Sequence, residues 1–273
     1  MVVTRILDLA LGLFNKRKPD VDEYGYGSAS LLEGEVYTLV CFVSEIKKEG
    51  WSSDGKERML ALLEESQEWI RKQAREYPEV TVDFIKLDRT KDIIDIEFEK
   101  DDIPEGTGSE EEPVNLVSKI LYAAGHKSTL EWEEEVKKKT GATNVQVLIF
   151  IKDRAGRSYA MASSDKMDKE EYFVEGAVLF EKQNDDTDLY SSVIAHEILH
   201  IYGAWDLYGT FQTEGDEEKL KKHNEYLGKS IMLKTPENID HSKVDILTAW
   251  LVGWNKDPEP WFESFEPKPK SQT

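Results

Sequence analysis

Eleven residues, His196-Glu197-Ile198-Leu199-His200-Ile201-Tyr202-Gly203-Ala204-Trp205-Asp206, constrain this chain more than any other stretch. On an α-helix each residue advances by about 100°, so His196 and His200, four apart, project from one face. Two imidazole nitrogens placed that way can share a tetrahedral Zn²⁺. A third ligand from the same stretch returns to the ion only if the helix stops sharply. Gly203 tolerates the left-handed turn that such a stop needs, and Asp206 then supplies a carboxylate ligand. Glu197 adjoins the first ligand but faces a different side, where a general base would meet a water in the open fourth position.

The flanking residues fit a buried helix. Asp185-Asp186-Thr187-Asp188 offers N-cap groups and acidic residues for a first turn, and Leu189, Val193, Ile194, Ile198, Leu199 and Ile201 form an apolar stripe behind the histidines. HExxH alone also arises by chance on ordinary helices. Here a glycine and a carboxylate add independent support, and two of only five histidines in the chain stand at metal spacing. The other three, His126, His223 and His241, sit in polar surroundings suited to surface or capping roles.

The pattern HExxHxxGxx followed by Asp resembles the signature of the metzincin metalloproteases, and the Asp form is similar to that of the snapalysin-type branch. A second mark of that family is a methionine turn downstream of the third ligand, and Gly228-Lys229-Ser230-Ile231-Met232 has its Ser-Ile-Met form. The resemblance implies a zinc endopeptidase acting on a protein or peptide substrate. His196, His200 and Asp206 would be the ligands, Glu197 the general base and acid, and Met232 the floor of the site; the alternative for Met232 is core filler. Zinc would acidify a bound water and polarise the scissile carbonyl, and Glu197 would pass the water proton to the leaving amine. One departure stands out. Several metzincins carry a tyrosine two residues after the methionine, and here that position is Lys234. Tyr202 and Tyr208 both lie near the ligands in sequence and either could substitute. The resemblance covers mainly Thr187 to Trp254.

The expected fold class is α/β: a metzincin-like domain with a mixed, mostly parallel sheet, an antiparallel edge strand, the zinc helix and a smaller, mainly helical C-terminal lobe. Val36–Val43 and Val80–Ile85 read as strands around a helix with apolar residues from Met59 to Tyr77, which Pro78 ends. Strand-helix-strand order predicts a parallel pair with a crossover. Val145–Ile151, Tyr159–Ala162 and Tyr172–Phe180 follow as strands. Val174–Val178 is the candidate antiparallel edge bordering the cleft, with another core strand as the alternative. A final helix from Ser242 would bury Val244, Leu247, Trp250, Leu251 and Trp254. The expected domain plan is an N-terminal extension (1–30), the catalytic domain (31–256) with a helical and acidic insertion around 88–143, and a loosely ordered tail (257–273).

Composition narrows the partners and the compartment. A formal net charge of −20 over 273 residues, with no basic patch, argues against nucleic acid. No apolar run approaches membrane-span length. The single cysteine, Cys41, lies in an apolar run, excludes an intramolecular disulfide and reads as a small core hydrophobe. Ile6–Phe14 is broken by Asp8 and precedes its basic cluster, so it makes a poor signal peptide and a better short amphipathic helix. A cytoplasmic location is the expectation, with non-classical export as the alternative. The competing function is a zinc-stabilised binding or regulatory protein with gated or absent proteolysis, for which Lys234 and an intracellular address are the motives. Oligomeric state is left open.

Overall fold

The computed structural model describes residues 28–29, 31–106, 116–161, 174–208 and 216–265. The expected helix at Ile6–Phe14 and residues 107–110 of the acidic run lie outside the described residues. Six strands form one sheet: β1 (Gly34–Glu45), β2 (Val82–Phe84), β3 (Ile93–Phe98), β4 (Asn144–Ala155), β5 (Tyr159–Met161) and β6 (Gly176–Lys182). The main order is β2-β1-β4-β6-β5. β2 pairs with the first residues of β1 and β3 with its last six, so two short strands share one flank of β1. Every pairing is parallel except that of β5 with β6.

The near-continuous apolar runs of β1, β4 and β6 follow from burial on both faces, which a parallel sheet flanked by helices imposes. Val36, Val40, Phe42, Leu148, Phe150, Ala177 and Leu179 enter one core, while Leu39, Cys41, Val147, Ile149, Val178 and Phe180 enter the other. Phe42, Phe150 and Phe180 are fully buried, and each contributes about 2–3 kcal/mol through the area removed from water. Burial also pushes the Cys41 thiol far above its ordinary pKa, so it behaves as a hydrophobe and not as a nucleophile.

Helix α1 (Ser53–Ala74) covers the first face. Ser52 caps it by accepting from the Gly55 amide, and Met59, Leu63, Trp69, Ile70 and Ala74 turn inward. Two helices, α2 (Leu116–Ala123) and α3 (Thr129–Thr140), pack Leu116, Val117, Ile120, Trp132 and Val136 on the second face. The 88–143 segment, expected as an insertion, therefore supplies β3 and the helices of an entire layer. Helix α4 (Ser191–Ile201) lies with α1 on the first face. After it come α5 (Asp216–Lys222), α6 (Asn224–Leu227) and α7 (Ile246–Leu251). Ile231, Met232, Leu247, Trp250, Trp254 and Phe262 share the core of that face. Phe262, inside the expected loose tail, is fully buried.

Two expectations are corrected by this arrangement. Val174–Val178 is not the antiparallel edge, because β6 lies between β4 and β5 and is apolar on both faces; β5 is the edge. The Asp185–Asp188 run does not cap α4, whose N-cap is Tyr190 with no side-chain bond. It folds instead into its own tight turn, in which Asp185 accepts from the Thr187 amide and hydroxyl at 3.1 and 2.6 Å and Asp186 takes φ +63°.

Candidate metal centre

Helix α4 is buried at every residue except His200. It ends as the glycine predicts: Gly203 has φ +88°, its amide donates to the His200 carbonyl at 2.9 Å, and the Ala204 amide donates to the Leu199 carbonyl at 3.1 Å. This paired closure is a Schellman turn. It also aims the Ala204 carbonyl back at the helix, where it lies 2.7 Å from His200 Nδ1. His196 Nδ1 lies 3.0 Å from the Ile231 carbonyl. Each Nδ1 is therefore held by a backbone carbonyl, which turns each Nε2 toward the other ring.

Those two Nε2 atoms are 3.0 Å apart, and Asp206 Oδ1 lies 3.1 Å from His200 Nε2 and 3.3 Å from His196 Nε2. Three atoms that can each ligate a metal thus form a nearly equilateral triangle. Ligands at zinc bond lengths in a tetrahedron are about 3.3 Å apart, so the triangle fits that ion. Two imidazoles and a carboxylate also form a donor set that suits Zn²⁺. A Glu197 oxygen and nitrogens of both histidines lie within 4.8 Å of one another, so His196, Glu197 and His200 make a group that could hold a metal. Asp206 Oδ1 lies within 3.3 Å of both Nε2 atoms, so it adds a further carboxylate to this group.

Charges at the site are strongly coupled. Burial raises the Glu197 pKa, and the adjacent Asp206 adds to this while the two histidines and Arg157 oppose it. Burial works to lower the His200 pKa, but the hydrogen bond and charge of Asp206 outweigh it and push the value up to about 9. For Asp206 burial would raise the pKa, yet the hydrogen bonds from His196 and His200 hold it well below the usual carboxylate range.

The turn containing Met232 supports the triangle through its backbone. The Ile231 carbonyl orients His196, and the Met232 carbonyl accepts from the Leu207 amide at 2.9 Å, next to Asp206. Ser230 fixes this turn: its hydroxyl accepts from the Met232 amide at 3.1 Å and donates to Asp245, the N-cap of α7. Met232 itself is fully buried in the core.

A cleft of about 320 Å³ opens on His196 and Glu197, walled by Val193, Tyr208, Arg157 and Thr235. Of the two tyrosines left open by the sequence, Tyr202 is fully buried, whereas Tyr208 lines the cleft and stacks on His196 with ring centroids 5.9 Å apart. Burial and then the Asp206 charge push the Tyr208 pKa up to about 12, so its hydroxyl stays protonated at neutral pH. Arg157 was not singled out by sequence; it lies 39 residues before His196 with no local pattern to mark it. A second cavity, about 400 Å³, lies between α1 and residues 84–93. Its Arg71 pairs with Asp83 and its Arg89 with Glu57, so those cations are already compensated.

No protein-family model, no curated protein and no solved structure matches the chain. What the fold and site establish is an α/β protein with a mixed, mostly parallel sheet and a His-Glu-His group that could hold a metal ion. Among the described residues no helix is long and apolar enough to cross a membrane.

Proposed function

We propose that this chain is a zinc-dependent endopeptidase with a metzincin-like site, in which His196, His200 and Asp206 are the ligands and Glu197 is the general base and acid. The observation that carries the reading is the triangle of three potential ligand atoms 3.0–3.3 Å apart beside a buried glutamate and an open cleft. When bound, zinc supplies Lewis acidity, polarising a carbonyl and lowering the pKa of a coordinated water to about 7.

The remaining work falls to the protein. Burial raises the Glu197 pKa, which suits a group that must accept a proton from water and return it to a leaving amine. Tyr208, protonated and facing the cleft, takes the place of the tyrosine absent at Lys234 and donates its hydrogen toward the oxygen of the scissile carbonyl. The alternative, a zinc-stabilised binding or regulatory protein with gated or absent proteolysis, rests on Lys234 and on the expected intracellular address.

Glu197→Gln separates the two readings, since it removes the base and leaves the three ligands. The substitution should retain about one zinc per chain, while cleavage in a broad peptide library should fall at least about 100-fold. A wild-type protein that holds zinc but cleaves nothing, or a variant that cleaves as fast, rejects the peptidase.

A further inference from the structure

Arg157 links the edge of the sheet to the segment after the zinc helix. Among the described residues lining the cleft it is the sole lysine or arginine. Its Nη2 donates to the Tyr208 hydroxyl oxygen at 3.3 Å and stands 3.8 Å from Asp206 Oδ2, an ion pair longer than a hydrogen bond. The guanidinium also sits 5.5 Å from the centroid of the Tyr208 ring.

The backbone beneath it is held on several sides. The Gly156 amide donates to the Lys182 carbonyl at 3.1 Å, the Arg157 amide to the Gly106 carbonyl at 2.9 Å, and the Phe180 amide to Ser158 Oγ at 3.3 Å. A Cβ on Gly156 would come within 2.9 Å of the Phe180 ring, so only glycine allows this approach to β6. The arginine therefore extends from a fixed base, which is what a positioning group requires.

We propose that Arg157 is a positioning residue for the metal centre, an inference that rests on the zinc-site reading above. It attracts the outer oxygen of Asp206, leaving Oδ1 aimed at the two imidazoles. It also occupies a lone pair of the Tyr208 oxygen, so the hydroxyl hydrogen points away from it and is free to donate within the cleft. One cation thus sets both the third ligand and the donor two residues later. Outer partners of metal ligands are typically worth about 10–100-fold in metal affinity. Arg157 is 47% exposed and its contact with Asp206 is long, so the lower end of that range applies.

The test uses full-length Arg157→Met, which keeps the aliphatic stem, together with Arg157→Lys and Tyr208→Phe. Chelator competition should show zinc bound about tenfold more weakly by Arg157→Met, with partial recovery in Arg157→Lys, which restores the charge without the planar fork. On a peptide cleaved by the wild type, kcat should fall about tenfold with KM within about twofold. In the Tyr208→Phe background the kcat effect of Arg157→Met should largely vanish while the zinc effect persists. Unchanged zinc affinity in Arg157→Met overturns the proposal, and so does a raised KM at constant kcat, which would place Arg157 on the substrate instead. The zinc measurement needs no turnover, so a wild type that binds zinc but cleaves nothing rejects the peptidase reading and leaves the zinc measurement to decide the role of Arg157.

Discussion

Zinc binding should expel close to one proton from His200 at pH 7, and Asp206 is the reason. His200 Nε2 lies 3.1 Å from Asp206 Oδ1. Burial alone would lower the imidazole pKa, but the Asp206 hydrogen bond and charge, with help from Glu197, push it up to about 9. At pH 7, two units lower, the protonated form outnumbers the neutral one by about a hundred to one. An ordinary imidazole near 6.5 would be protonated in only about a quarter of molecules. Since zinc would take the same nitrogen, about one proton must leave the imidazole as it binds, against about a quarter for an uncoupled histidine, beside any proton that a coordinated water releases. Isothermal titration calorimetry in buffers of differing ionisation enthalpy reads that number as a slope. Asp206→Asn removes the carboxylate, burial then dominates, and proton release should fall by close to the one proton that His200 contributes. A raised folded-state pKa contributes stability that is fully present below about 6.5 and lost as pH rises through about 9. The zinc-free wild type should accordingly lose up to about 3 kcal/mol across that window, counted once for the His200–Asp206 pair, while Asp206→Asn should not. Equal proton release from both proteins would refute the coupling.

The supporting turns carry their own predictions. Gly203→Ala forces a side chain onto φ +88°, so chemical denaturation should show a loss of about 1–2 kcal/mol, together with weaker zinc binding because Ala204 and Asp206 both follow the strained residue. Asp245 accepts from the Leu247 amide, the Thr248 amide and hydroxyl, and Ser230; Asp245→Ala should cost about 2–4 kcal/mol. It should also reduce zinc affinity through the Ser230–Met232 turn, and a variant that loses stability but binds zinc as the wild type does would show that the turn does not orient His196.

How much of the site could be read from sequence follows from how local its geometry is. His196, His200, Gly203 and Asp206 fall within eleven residues, and a helix followed by a Schellman turn fixes their relative positions with little outside help. Strands β1, β4 and β6 were equally legible, because burial on two faces leaves an apolar run that no loop shares. Failures came where a long-range contact decides. The Asp185–Asp188 run has good capping residues, but its carboxylates are spent on the turn itself, on Arg58 and on Lys182. The edge position depends on which strand lies beyond β6, and the periodicity of a strand does not encode its neighbour. Tyr202 and Tyr208 differ by six residues and were indistinguishable until packing buried one and left the other on the cleft. Arg157 meets Asp206 across 49 positions, with nothing in its own neighbourhood to announce it.

The position of the cleft follows from the direction of the strands. β1, β4 and β6 run parallel, so their carboxyl ends, and the segments that leave them, gather along one edge of the sheet. Arg157 follows β4, and Gln183–Asp185 follow β6 before α4 begins; these are the residues that meet His196 and Glu197 at the cleft. α2 and α3 pack on the opposite face. The cleft is therefore lined from two places: His196 and Glu197 come from a helix buried in one core and Tyr208 from the segment after it, whereas Gly156–Ser158 and Gln183–Asp185 come from loops at the carboxyl ends of the strands. Substitutions in those loops should alter what the cleft accepts without disturbing the triangle, and Arg157 should be the exception, because it reaches from such a loop to within 3.8 Å of Asp206 Oδ2.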